Sequence, residues 1–416
     1  MKNKLFIACF SFLTTIAYSQ SKTNEYPLKF NPKSEQFKSI QPIIDATKNK
    51  TIVALGEGTH GTKEFNFIRN QISKELIQKH NFRVIAFETA FGDMSILNQE
   101  INSTKNIRSI IKENILSIWQ TKEIEELFTW VRKYNAKNQD KIILTGFDIN
   151  FLNNSTVVLE KDQLIQDKNY ANLVREISSK AKTIDEAWSQ SNNVEYNVDM
   201  KNLIKNGVDG YLLTKKLDSI YSANLNVNSK IATYNLQLGF QNFYEASKEN
   251  YDFSRDFAMS EMIQKIQSEM NQKVIVYAHN GHIALQPTLI EGMGGYLKKQ
   301  YTNNYYALAT FTAQGTYNAM TDNVVTKNNV MKPYNLLAIL DNSWEQKMSK
   351  NPLQNFFINF QENYDSSYDK ELKMRFYGYK VVNPVEEKQM ITKEIKLSQY
   401  FDGLIFINTT NAAVSF

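Results

Sequence analysis

Short apolar runs recur along the chain, each closed by a polar residue. The first three are TIVALGE (51–57), FRVIAFE (82–88) and KIILTGFD (141–148), and a fourth, KVIVYAHN, spans 273–280. They are β-branched or aromatic and apolar at nearly every position, which predicts strands buried on both faces. Helical periodicity fills the spaces between the first three. Strands alternating with helices build βαβ units and a mostly parallel sheet, so the expected fold is α/β with flanking helices. Later strand candidates are YYALATFT (305–312), MRFYGY (374–379) and DGLIFIN (402–408).

The stretch 157–269 has a different texture. It is rich in Lys, Glu, Asn, Gln, Leu and Tyr at helical spacing and contains no proline. It reads as several helices inserted between the third and fourth core strands, able to form a lid or wall over the sheet. The expected division is a signal segment at 1–19, a first part of the core at 20–156, the helical insertion at 157–269 and a second part of the core at 270–416.

The first residues, MKNKLFIACFSFLTTIAYSQ, have a charged start at Lys2 and Lys4 and an apolar run from Leu5 to Tyr18. Ala17 and Ser19 are small residues at the −3 and −1 positions of a cut before Gln20, as in a secretory signal. The run is too short for a comfortable membrane span. Periplasmic or secreted placement is expected. Cleavage would remove Cys9, the sole cysteine, and leave neither a disulfide nor a thiol nucleophile. The formal charge of +5 is small for 416 residues and falls further without Lys2 and Lys4. No basic run or aromatic-basic module is present, so nucleic-acid binding is not expected.

The polar residues that close the strands carry the chemistry. The four strands end on or next to Glu57, Glu88, Asp148 and His279, and ligands of open α/β sheets bind outside the carboxyl ends of the strands. The turn after the first strand, GEGTHG, adds His60. Thr62 suits the N-cap of the next helix and Glu64 suits its positive end. An imidazole near that end stays neutral, as a general base must. Arg69 falls on the apolar stripe Phe65, Arg69, Ile72 and Leu76, so it needs a buried partner, and Glu57 and Glu88 are the natural ones. HNGH places His279 and His282 three apart. In SRDFAM (254–259), Arg255 can stabilise an oxyanion and Asp256 suits a helix start. His80 lies apart from these, near a helix end where Asn81 can take the left-handed capping conformation.

G-x-S-x-G, Walker, H-E-x-x-H and dinucleotide-binding motifs are all missing. What remains is histidine, carboxylate and arginine, the parts for base-activated water attacking a carbonyl. No cofactor is required by these parts. The three histidines and two glutamates also leave a divalent-metal hydrolase open, since two histidines alone make an incomplete metal site. A third reading is a non-catalytic envelope protein that binds sugars or lipids.

In order, GEGTHGTKEF…R, FRVIAFE, GFD, SRDFAM and YAHNGH resemble the erythromycin esterase family. The likeness continues through GMGGYLKKQY (292–301) and DGLIFI. The resemblance implies hydrolysis of a macrolide lactone by water, inactivating the antibiotic and conferring resistance. The expected partners are thus a small-molecule ester and water. It carries functional roles onto Glu57, His60, Arg69, Glu88, Arg255, His279 and His282, with His60 as the base. It also implies a smaller α+β portion beside the core. One departure stands in the turn, where Gly58 replaces a larger residue common in the family.

Overall fold

Eight strands make the main sheet, numbered here in chain order: β1 (Glu25–Pro27), β2 (Ile52–Glu57), β3 (Phe82–Ala90), β4 (Ile143–Asp148), β5 (Lys273–His279), β6 (Tyr305–Phe311), β7 (Asn355–Asn359) and β8 (Gly403–Ile407). The structure is a computed structural model that describes residues 25–362, 364–390 and 394–416. The expected signal segment and Cys9 lie outside these residues. Across the sheet the order is β1-β7-β8-β6-β2-β5-β3-β4. The six strands from β8 to β4 run parallel, while β7 is antiparallel to both of its neighbours. The fold is thus the expected mixed α/β with a mostly parallel sheet.

Both faces of the sheet are buried. Along β2, Ile52 and Ala54 enter one apolar cluster and Val53 and Leu55 enter the other. Such alternation between two dry faces is why the run looks apolar at every position. Helices Lys63–His80 and Lys122–Lys137 supply apolar side chains to the second cluster. Five helices lie between β4 and β5: Asn153–Glu160, Lys168–Gln190, Met200–Tyr221, Val227–Ala246 and Arg255–Met270. A separate three-stranded sheet joins Gln314–Ala319 to Lys332–Asn335 and Thr409–Thr410.

Two strands of the main sheet escaped the sequence reading, and one candidate does not form. The edge strand β1 and its neighbour β7 offer at most three consecutive apolar residues, too few to register as periodic. The segment MRFYGY (374–379) is irregular backbone instead of a strand. Its carbonyls turn to the site, as described below, instead of to a ladder.

The turn after β2 is crowded. A Cβ at Gly56 would collide with the Asn280 side chain and with Ile283. Gly61 has φ +139°, and a Cβ there would sit 2.7 Å from the Asn318 carbonyl. The last segment of the chain fastens this turn. The Gly61 carbonyl accepts from the amides of Asn318 (3.0 Å) and Ala413 (2.8 Å), and the Lys63 amide donates to the Asn411 carbonyl (2.8 Å). Gly58 is close to the Thr310 carbonyl, 3.0 Å from where a Cβ would stand. The turn is thus packed rather than loosened at that position.

Candidate active site

The parallel register sets Glu57 of β2 beside His279 of β5. On the other side of β5, the pairing of β3 with β4 slips between Phe87 and Ala90. Glu88 sits in this irregularity, and bulges of this kind re-aim side chains next to active sites. Strand ends from β2, β3, β4 and β5 therefore meet at one edge. The helix Lys63–His80 starts where Thr62 was expected to cap it, and Asn81 closes it in the left-handed conformation (φ 59°, ψ 30°). His80 thereby lies before the start of β3, at the opposite edge of the sheet.

His60 Nδ1 lies 2.8 Å from Glu57 Oε1. The other carboxylate oxygen, Oε2, accepts from Arg69 at 2.5 Å, and the same Arg69 nitrogen donates to Asn66 Oδ1 at 2.6 Å. Each Glu57 oxygen thus has its own partner, Arg69 on Oε2 and, in the tautomer that carries the proton on Nδ1, His60 on Oε1. His60 lines a cleft of about 690 Å³, and among the described residues nothing bonds its Nε2. Arg69 is 1% exposed and does not reach that cleft. Its guanidinium carbon lies 5.5 Å from the Trp119 ring centroid and 4.9 Å from that of Tyr277, held between the two faces.

Glu88 was expected to share Arg69, but it does not. Its Oε1 lies 3.1 Å from His282 Nε2 and 3.6 Å from Arg255, and its Oε2 accepts the His279 amide at 2.9 Å. Burial opposes charge on Glu88, yet the His282 imidazolium, with Arg255 also near, holds the carboxyl well below its ordinary value. His282 Nδ1 lies 2.7 Å from Asp256 Oδ1. Burial alone would strip His282 of its proton, but Glu88 and Asp256 push its pKa up to about 9. It is an imidazolium at neutral pH, fixed between two carboxylates.

His279 is the reverse case. Its Nε2 donates to the Tyr377 carbonyl at 2.9 Å and its Nδ1 accepts the Gly281 amide at 3.3 Å. Both nitrogens are engaged in one neutral tautomer, and burial with His60 and His282 close by pushes its pKa down to about 4. A short helical turn forms at Asn280–Ile283. Even so, the two rings of HNGH meet edge to face at 6.4 Å, each with its own partners. Arg255 makes a forked pair with Asp148, at 3.1 and 2.6 Å.

All seven expected site residues therefore lie together at the sheet edge. Glu57, Arg69 and His60 form one part and Glu88, His282 and Arg255 the other, with His279 between them. Four contributors were missed. Asp256 read only as a helix starter, although its place just after Arg255 on a helix leading to β5 was a usable signal. Asp148, named at its strand end but given no role of its own, lines the cleft with its arginine. Trp119, whose Nε1 donates to the Glu88 carbonyl at 3.1 Å, and Tyr379, whose ring lies 6.5 Å from that of His60, carry no sequence signal. Among the described residues, no group of three His, Cys, Asp or Glu side chains converges as metal ligands do.

A parallel sheet whose carboxyl edge carries a histidine–carboxylate pair beside a large cleft has the layout of an α/β protein with its ligand site at the strand ends. The chain matches the family described as Erythromycin esterase over residues 77–410 and belongs to that family. A Bacillus subtilis (strain 168) protein bearing the name "Putative hydrolase YbfO" is 26% identical over 365 residues, 78% of this chain and 80% of that protein. Erythromycin esterase type II of Escherichia coli is 26% identical over 340 residues, 74% of this chain and 79% of that protein. A solved structure of an erythromycin esterase EreC mutant in its open conformation has a TM-score of 0.64 at 17% identity and covers 94% of this chain and 98% of that one. At that identity the likeness is one of fold. These relationships make the protein a hydrolase. The family match begins after the GEGTHG turn, so the case for Glu57, His60 and Arg69 rests on the geometry above.

Proposed function

We propose that the protein hydrolyses the ester bond of macrolide lactones such as erythromycin, and so inactivates them. The observation that carries this is His60, held through Nδ1 by Glu57 with Nε2 turned to the cleft. A water at Nε2 loses its proton to His60 as its oxygen bonds the lactone carbonyl carbon. The developing oxyanion faces Arg255 and the His282 cation, both on the cleft wall. When the ring C–O bond breaks, His60 returns the proton to the leaving alkoxide. The products are a carboxylic acid and an alcohol on one opened chain.

The cleft supports a substrate of this size, since a drug-sized ligand needs roughly 300–1,000 Å³. Its walls are mainly apolar, with Leu116, Ile118 and Phe151 on one side and Trp188, Phe253 and Val325 on another. Asn150, Asn242 and Asn323 add scattered amides. That combination suits a large apolar ring decorated with hydroxyls.

Incubation with erythromycin followed by mass spectrometry is the test, and the expected product gains one water. Erythromycin recovered intact would sink the substrate assignment. His60→Asn is expected to keep the fold and lose at least about 100-fold in rate, the scale of lost base catalysis. A folded variant at near-normal rate would remove His60 from the role. The metal-dependent alternative draws no support from the donor arrangement, in which both His282 nitrogens face carboxylates. Activity measured after chelation, with and without added zinc, tests it directly.

A further inference from the structure

One irregular segment touches both histidines of the cleft floor. The Tyr377 carbonyl accepts from His279 Nε2 at 2.9 Å and the Gly378 carbonyl accepts from the His60 amide at 3.3 Å. The Phe376 ring lies 6.4 Å from that of His279 and the Tyr379 ring 6.5 Å from that of His60. Residues 374–379 thus set the tautomer of one histidine and the backbone position of the other. They do so without belonging to any sheet, so no ladder of hydrogen bonds fixes them.

Arg375 supplies the missing anchorage. It is 5% exposed. Its amide donates to Glu345 Oε1 at 2.9 Å and its Nε to Glu387 Oε1 at 2.8 Å. The guanidinium also donates to the carbonyls of Ala313 (3.1 Å), Leu337 (2.9 Å) and Ala338. The Tyr377 hydroxyl returns to the same Glu387 carboxylate. One side chain therefore ties the segment to the loop after β6, to the 337–338 strip and to the helix Pro384–Met390, while its amide ties it to the helix Trp344–Ser349. A planar fork with five donors can make these bonds at once, and a lysine cannot.

We propose that Arg375 is a positioning residue of the site: through the Tyr377 and Gly378 carbonyls it fixes the tautomer of His279 and the placement of His60. It does not line the cleft and touches no substrate. The proposal rests on the hydrolytic reading above for its effect on rate, while its effect on His279 stands without that reading.

The test combines kinetics with nitrogen-15 spectra of histidine-labelled protein, in wild type and in Arg375→Met and Arg375→Lys. In wild type, His279 is expected as the single tautomer protonated at Nε2. In Arg375→Met the ring should average between tautomers, and kcat should fall at least about tenfold, since small misplacements of reacting groups cost up to about 100-fold. KM should change less than kcat, because only Phe376, Gly378 and Tyr379 of the cleft lining belong to this segment. Arg375→Lys should recover part of the rate. A folded Arg375→Met variant with wild-type kcat, or with His279 still in its single tautomer, overturns the proposal. If Arg375→Met does not fold, Tyr377→Phe removes one bond to Glu387, and an unchanged His279 spectrum and kcat there would overturn it equally. The spectra need no substrate, so a wild-type protein inert toward lactones would reject the hydrolytic reading and leave the tautomer result to decide this one.

Discussion

Three histidines lie within one ring-packed cluster, and their neighbours give each a different state. His282 is cationic because two carboxylates flank it, His279 is neutral because both nitrogens are already used, and His60 has one nitrogen tied and one open. These states predict an unusual pH dependence of stability. The folded pKa of His282, about 9, exceeds the unfolded value of roughly 6.5. Its contribution is therefore complete below about pH 6.5 and is lost as pH rises through 9. His279, at about 4 when folded, does the opposite: its contribution is present above about pH 6.5 and fades as pH falls toward 4. Denaturation midpoints followed from pH 4 to 10 should fall on both sides of the middle. His282→Gln should flatten the alkaline side and His279→Gln the acidic side, and unchanged slopes would contradict the assigned states. Sequence alone could place these residues at strand ends but not rank them, because their protonation depends on contacts made across hundreds of positions. The Glu88–His282 pair shows this best, joining the end of one strand to a distant turn that reads on its own as a metal-like motif.

The secondary-structure elements convert a repeating pattern into a fixed geometry. The stripe Phe65, Arg69, Ile72 and Leu76 is wholly buried, as its period demanded, and the charge within it is met by Glu57. Arg69→Met would leave Glu57 buried beside His60 without its cation. A loss of about 3–5 kcal/mol is expected, the cost of breaking one side of a buried pair, and urea denaturation measures it. Gly56→Ala has no space beside Asn280 and Ile283. It should cost about 1–3 kcal/mol through overpacking, read as a lowered thermal midpoint. Strands β2 to β6 were legible because both their faces are dry. The segment 374–379 has similar composition and still forms no strand, since its carbonyls serve histidines. Aromatic content predicts burial there correctly and backbone pairing wrongly.

At the scale of the molecule, the cleft is shared between regions far apart in the chain. Trp188 from the helix Lys168–Gln190 faces Asn323, Val324 and Val325 from the C-terminal part. Just beyond that helix, Asn192 spans the two. Its side-chain oxygen accepts from the amides of Asn323 (3.1 Å) and Val324 (2.9 Å), and its nitrogen donates to the Val324 carbonyl (2.8 Å). Asn192→Ala should loosen this wall without reaching His60. KM for a macrolactone is expected to rise roughly fivefold, the worth of about 1 kcal/mol of hydrogen bonding, while turnover of a small aryl ester stays unchanged. Steady-state kinetics on both substrates separates wall from chemistry, and equal losses on both would refute the division.

The fastening of the Gly61 turn by Asn411 and Ala413 has a consequence for the order of events in the cell. The base is made early in synthesis, yet the segment that secures its turn leaves the ribosome long after it. Until then the Gly61 carbonyl lacks its bond from Ala413 and the Lys63 amide has only water as a partner. A nascent or prematurely terminated chain would hold a sheet, a cleft and a histidine, but no settled water-activating geometry. Catalytic competence would arrive only once Asn411 and Ala413 are in place, so copies that stop short of them would be silent.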